Sequence, residues 1–270
     1  MSQPTMPQHT IRFEDGAAYE RGMGGWSRLA GEIFLDWLAP PPGLSWIDVG
    51  CGNGAFTELL VQRTRPREVQ GIDPSAAQLR FARERPGAQS AVFLEGDAMN
   101  LPFEAGRFDA AVMALVIFFV PEPAKGLAEM MRVVSPGGMV TAYAWDLLEG
   151  GFPFAPIIEE LRAAGFNPPL PPSAAIARMP ALRELWQSAG LEAVETREIT
   201  VERHFADFED FWSSSTGGSG SIGPLIARMA PDELTRLKGK VAPRLSTDAA
   251  GRVTGRGRAN AIKGRVPRQA

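Results

Sequence analysis

The stretch Trp46-Ile47-Asp48-Val49-Gly50-Cys51-Gly52-Asn53-Gly54-Ala55-Phe56 decides how the rest of the chain is read. An apolar run ends in an acid, passes through three glycines separated by single residues, and opens into the helical spacing of Phe56, Leu59 and Leu60. This order predicts a strand, a tight turn and a helix N-terminus. Glycine belongs in such a turn because a Cβ blocks positive φ and the close approach of a ligand to the backbone. The helix start adds N–H groups that have no partner within the helix.

Outward from this turn, the chain alternates. Before it, Leu29, Ile33 and Trp37 fall on one helical face, and Pro40-Pro41-Pro42-Gly43 stops that helix. After it, a helix through Leu59 to Arg63 leads to a short strand, Val69 to Ile72, closed by Asp73. Pro74 and Ser75 open a helix with Leu79 and Ala82 inward, and Ala91 to Leu94 reads as a third strand. Phe108 to Ile117 is apolar enough for a central parallel strand buried on both faces. Leu127, Met130, Met131 and Val134 give the clearest helix, ended by Pro136-Gly137-Gly138, and Met139 to Trp145 is a fifth strand. Repeated strand and helix mean a parallel sheet with right-handed crossovers.

The second half departs from that rhythm. Residues 149–178 are rich in Gly, Pro and Ala, a helix from Ala181 to Ala189 follows, and Val194 to Val201 reads as a strand. Phe205 to Trp212, a Ser/Gly-rich hinge from Ser213 to Gly223 and a helical piece from Pro224 to Lys240 precede a last strand, Gly251 to Val266, with arginines on one side. The expected layout is one domain over 1–270. It comprises a helical cap at 1–45, a ligand-binding core at 46–148, lid inserts at 149–178 and 204–245, and a last strand at 251–266.

At 270 residues the chain can bury a full core, and its net charge of −3 predicts no general affinity for nucleic acid or an anionic membrane. No apolar run spans a bilayer, and Met1 to Thr10 is polar and Pro-rich without the pattern of a secretion signal. The reading is a cytoplasmic protein without a membrane partner, and a homodimer is left open. A single cysteine, Cys51, rules out an internal disulfide and a cysteine-based zinc site, and no metal is expected.

Gly50, Gly52 and Ala55 also satisfy the dinucleotide pattern, so the turn alone fits NAD as well. Asp73, at the end of the second strand, suits the two ribose hydroxyls of a nucleoside. Asp97 in Gly96-Asp97-Ala98 is placed to accept from the exocyclic amine of an adenine, and Asp48 lies close to where a ligand's ammonium end would be.

With those residues in hand, the chain resembles class I S-adenosylmethionine-dependent methyltransferases of the small-molecule, UbiE-like (type 11) group. The matching pieces are Asp48-Val49-Gly50-Cys51-Gly52-Asn53-Gly54, Gly71-Ile72-Asp73-Pro74-Ser75, Gly96-Asp97-Ala98-Met99-Asn100-Leu101-Pro102-Phe103, Phe108-Asp109-Ala110-Ala111-Val112 and Arg132-Val133-Val134-Ser135-Pro136-Gly137-Gly138. They occur in the family's order within residues 46–145. A leader, Tyr19 to Arg28, resembles one seen in part of the family. The resemblance implies a Rossmann-like, doubly wound, mostly parallel seven-stranded sheet with an antiparallel C-terminal strand and a helical lid. It also implies a cofactor set of Asp48, Gly50, Gly52, Asn53, Asp73, Pro74, Asp97, Ala98 and Ala114, the last through its carbonyl. The implied function is methyl transfer from S-adenosylmethionine to a small-molecule acceptor, leaving S-adenosylhomocysteine.

A sulfonium methyl is already activated, so no catalytic residue is obligatory. His204 is the candidate base after the sixth strand, with His9 in the chain's start; Tyr143 and Trp145 could line a pocket or serve as core. The end of strand four, Met113-Ala114-Leu115-Val116, lacks the polar–Pro–Pro–aromatic pattern of enzymes acting on adenine or amide nitrogen. Phe118-Phe119 stands where many relatives have histidine. Three rivals remain: an NAD-dependent oxidoreductase, a non-catalytic S-adenosylmethionine-binding protein, and an RNA-binding edge built from Arg252, Arg256, Arg258, Lys263, Arg265 and Arg268.

Overall fold

A computed structural model describes residues 20–217 and 222–268. Tyr19 and His9 lie outside the described residues, as does part of the expected Ser/Gly hinge. The strands are β1 (Ser45–Val49), β2 (Glu68–Asp73), β3 (Ala91–Glu95), β4 (Phe108–Ala114), β5 (Val134–Trp145), β6 (Glu192–Phe205), β7 (Ser246–Thr247) and β8 (Val253–Arg265). They form one sheet in the order β3-β2-β1-β4-β5-β8-β6, with the two-residue β7 paired to β8. The pairs among β1 to β5 are parallel, whereas β8 runs antiparallel to both β5 and β6. The α/β architecture is therefore the expected one, with seven long strands.

Every residue of β1 is buried, as its central position between β2 and β4 requires. From β1 the chain winds outward to β2 and β3, then returns to β4 on the other side. That reversal is a topological switch point between β1 and β4, and doubly wound sheets bind ligands at the carboxyl ends of such strands.

The helices that frame this end are α1 (Gly25–Leu38), α2 (Ala55–Thr64), α3 (Ala76–Glu84) and α4 (Pro123–Val133). In α1 the buried row is Trp26, Ala30, Phe34 and Leu38, while Leu29, Ile33 and Trp37 are only half-buried. The expected face is thus a flank of the real one. The charged stripe Arg28, Glu32 and Asp36 marks the outer side of the helix, and the buried row lies diametrically opposite it.

Two strands are longer than expected. β5 starts at Val134, and its pairing with β4 jumps from Phe108↔Val134 to Ala110↔Met139, so Ser135-Pro136-Gly137-Gly138 form an irregular bulge inside the strand. β6 continues to Phe205. Trp145, the last residue of β5, is level with Ala259 of β8 and Ile199 of β6. Beyond that level, residues 200–205 pair with 253–258, a two-stranded overhang of roughly 20 Å past the end of β5.

The inserts leave the carboxyl ends of β5 and β6. The first holds α5 (Ala155–Ala163), and α6 (Met179–Ser188) lies between it and β6; the second holds α7 (Phe208–Thr216), α8 (Gly223–Ile226) and α9 (Pro231–Val241). Helices α5 and α9 pack together, and Arg244 joins them through Glu159 and Glu160. Helix α6 packs on β6 and β8, with the Trp186 indole donating to the Val140 carbonyl at 3.1 Å. No described helix is long and apolar enough to cross a membrane.

β8 lies between β5 and β6 only from Ala259 to Arg265, which encloses Lys263 and Arg265, whereas Arg256 and Arg258 stand on the overhang. Arg256 pairs with Glu202, Arg258 with Asp146, Lys263 with Glu195 and Arg252 with Asp248. The strand's positive charges are largely matched by its neighbours.

Candidate functional site

The glycine turn is held down by the end of β2. The N–H groups of Gly50 and Cys51 both donate to the Ile72 carbonyl, at 2.7 and 3.0 Å, and the Gly52 N–H donates to Asp73 Oδ2 at 2.9 Å. Gly50 and Gly52 have φ of +77° and +52°, a region that disfavours side chains. Their surroundings differ. A Cβ on Gly50 would lie 2.4 Å from Val116 Cγ1, so this glycine lets the turn touch the loop after β4. A Cβ on Gly52 would meet nothing within 4 Å, so its backbone is open to an approaching molecule. Gly54 packs on α3, where a Cβ would sit 2.9 Å from that of Ala82.

Three acids surround this turn in three environments. Asp73 is half-buried and accepts from the Gly52 N–H and, at 2.9 Å, from the Ser75 N–H. Burial raises its pKa, and the two backbone bonds oppose that rise. The Ser75 side chain in turn caps α3 by accepting from the Gln78 N–H at 3.3 Å. Asp48 is completely buried: Thr57 Oγ1 of α2 donates to its Oδ2 at 2.6 Å, and its Oδ1 has no partner. Its pKa is pushed up to about 7, first by burial and also by the Asp73 charge, with the Thr57 bond opposing. Asp97 is exposed beyond β3, its Oδ1 accepting from the Met99 N–H at 2.9 Å.

Of the expected residues, Gly50, Gly52, Asn53, Asp73 and Pro74 are gathered at the turn and the end of β2. Asp97 and Ala98 follow β3, and Ala114 closes β4. Pro74 is exposed; Ala98 and Ala114 are half-buried. Immediately after Ala114, Leu115 has φ of +62°, a strained value for a branched side chain. Asp48 lies beneath this group rather than in it. Asn53 is buried, with its amide nitrogen donating to Glu20 at 3.2 Å and its Oδ1 accepting from the Ala55 N–H at 3.2 Å.

That contact belongs to a network the sequence did not announce. Arg85 Nε donates to the Asn53 carbonyl at 2.6 Å, while its other nitrogens bind Glu58 and Glu20. Glu20 thereby ties the turn preceding α1 to the glycine turn. Its position in the leader was the only signal, and Arg85 gave none.

Other candidates take structural places. The Cys51 thiol is buried and its pKa driven well above the ordinary value by burial and by Asp48 and Asp73, so it is no thiolate. His204 is exposed on the far edge strand, its Nδ1 3.0 Å from Thr254 Oγ1. Tyr143 and Trp145 are buried, Tyr143 packing 4.6 Å from the Phe34 ring centroid. Asp109 pairs locally, accepting from the Ser45 N–H at 2.8 Å. Among the described residues, no group of three or more His, Cys, Asp or Glu is arranged to hold a metal ion.

Comparison with known proteins bears on residues 47–142, which match the profile of the family described as "Methyltransferase domain". Demethylmenaquinone methyltransferase of Staphylococcus aureus is 37% identical over 127 residues, 46% of this chain and 51% of the relative. The chloroplastic 2-methyl-6-phytyl-1,4-hydroquinone methyltransferase 2 of rice, Oryza sativa, is 40% identical over 93 residues, 34% of this chain and 27% of the relative. The chain thus spans about half or less of the length of these curated relatives. In fold, it is similar to phosphoethanolamine N-methyltransferase 2 of Haemonchus contortus, solved with S-adenosyl-L-methionine, with a TM-score of 0.60 at 18% identity, covering 97% of this chain and 59% of that one. Residues 47–142 match a methyltransferase domain, and the chain's fold is similar to that of a methyltransferase solved with S-adenosyl-L-methionine.

Proposed function

We propose that this protein transfers a methyl group from S-adenosylmethionine to a small, largely apolar acceptor held between the core and the two inserts. The observation that carries the cofactor assignment is the pairing of an open Gly52 backbone with Asp73, whose carboxylate lies at the end of the adjoining strand. The fit is chemical as well as steric. Asp73 and Asp97 are acceptors for the ribose hydroxyls and the adenine amine, and buried Asp48 offers an acidic group to a cation. Gly50, Asn53, Pro74, Ala98 and the Ala114 carbonyl complete the proposed binding set.

S-adenosylmethionine supplies an electrophilic methyl, and the protein's task is to orient the acceptor in line with it and exclude water. The acceptor side is apolar. Phe118 and Phe119 pack at 4.6 Å between centroids, and Phe152 and Phe154 at 5.3 Å. Ser173 of the first insert docks on that loop, its N–H donating to the Phe118 carbonyl at 3.0 Å and its hydroxyl to Val120 at 2.8 Å. The inserts, 149–178 and 204–245, serve in this reading as the lid. The quinone- and phytylquinone-type acceptors named for the curated relatives are consistent with an apolar pocket.

Isothermal titration with S-adenosylmethionine, S-adenosylhomocysteine and NAD tests the assignment. The two sulfur ligands should bind and NAD should not; tight NAD binding without either of them would overturn it.

A further inference from the structure

We propose that Asp48 exchanges a proton on cofactor binding: its carboxyl is neutral in the free protein and becomes a buried carboxylate counter-ion when the cationic ligand occupies the glycine turn, the proton passing to solvent. The proposal rests on the cofactor assignment above, and it makes Asp48 a positioning residue rather than a direct ligand.

The geometry points this way on three counts. First, Asp48 Oδ1 is buried with no donor, while Oδ2 holds the Thr57 hydroxyl at 2.6 Å. A carboxylate would leave charge on an unsolvated oxygen, whereas a proton on Oδ1 removes it. Asp73 shows the contrast, since both of its oxygens accept backbone N–H groups.

Second, the groups facing Asp48 offer no positive charge. Its strand partners are Gly71 of β2 and Val112 of β4, and α2 contributes the neutral Thr57. The Asp73 charge opposes ionisation, and the neighbouring Cys51 thiol is held protonated. Arg85, the cation that reaches the turn, is matched by Glu20 and Glu58. Third, Asp48 lies two residues before Gly50, so a sulfonium and an ammonium seated on the turn would be the first cations near it. Burial weakens screening, so such charges favour the carboxylate strongly. Burial already holds the free group near the point of exchange, with a pKa of about 7.

The test is titration calorimetry of S-adenosylmethionine and S-adenosylhomocysteine between about pH 5.5 and about pH 7, in buffers of different ionisation enthalpy. Wild-type affinity should rise several-fold, up to about tenfold, per pH unit, with close to one proton released per ligand bound near pH 6. Asp48→Asn keeps an acceptor for Thr57 and should bind with no such slope. A flat wild-type profile, or an equal slope in Asp48→Asn, overturns the proposal while leaving the cofactor assignment standing. Absence of binding by either ligand overturns both. If Asp48→Asn does not fold, infrared difference spectra of the wild type decide. Loss of a protonated-carboxyl C=O band on adding S-adenosylmethionine is expected, and its absence refutes the exchange.

Discussion

In the first half of the chain, every proposed ligand group lies within two residues of a strand's carboxyl end or in the turn that follows: Gly52 after β1, Asp73 closing β2, Asp97 after β3 and Ala114 closing β4. In the second half the strands are longer, one is inserted antiparallel between two others, and the inserts meet one another rather than the strand ends alone. The first arrangement is local and backbone-driven. The second is assembled from side chains distant in sequence, such as Arg244 with Glu159 or Asn260 with the Ala177 carbonyl.

The sharpest way to break that contrast is within the glycine turn itself. Gly50→Ala should lower stability by about 3–5 kcal/mol, since it combines a disfavoured φ with a clash against Val116. Gly52→Ala should cost only about 1–2 kcal/mol for its φ, yet weaken cofactor binding. Urea unfolding midpoints and calorimetry on the two variants separate them, and equal stability losses would contradict the division between packing and ligand-facing glycines.

Asp48 gives the next largest effect. Its pKa is raised from 3.8 unfolded to about 7 folded, so the folded state binds the proton more tightly. Its contribution to stability is fully present below about pH 4 and is lost as pH rises to about 7. Relative to Asp48→Asn, the wild type should lose about 3–4 kcal/mol across that window, measured by denaturation at several pH values. A constant difference between the two proteins would mean that Asp48 ionises freely.

Asp73→Ala should weaken S-adenosylmethionine binding by about 1.5–3 kcal/mol through lost charge-assisted hydrogen bonds, and it frees the Gly52 N–H as well. Unchanged affinity would remove Asp73 from the site. At the small end, Arg256→Ala on β8 breaks an exposed pair with Glu202 at 2.8 Å and should change stability by less than about 0.5 kcal/mol. A larger loss by thermal unfolding would show that the overhanging β6–β8 ribbon depends on its charges.

The placement of the candidate acids and glycines was legible because each position follows from neighbours within a few residues. Asp73 ends an apolar run, and Gly52 stands where a turn must enter a helix. Asn53 was legible as part of the motif but not in its role: its amide contacts Glu20, a partner 33 residues away. In α1 both Leu29-Ile33-Trp37 and Trp26-Ala30-Phe34 are apolar rows. The charged stripe Arg28, Glu32 and Asp36, opposite the second row, chose between them, and the packing agrees, with Trp26 6.2 Å from Phe205 between ring centroids and the Lys263 ammonium 4.7 Å from the Trp37 ring. The bulge at Ser135-Pro136-Gly137-Gly138 was read as a helix stop, which it is, but it also lies within β5.

The sequence by itself determined the alternating order of strands and helices, the glycine turn and the acids beside it, because periodicity, glycine φ and strand-end placement are short-range properties. Only the tertiary structure decided that β8 runs between β5 and β6, that Arg85 and Glu20 close on the glycine turn, and that Asp48 is sealed from water with one oxygen unpartnered. Those features depend on which distant surfaces meet, and burial and pairing are set by that meeting rather than by any local pattern.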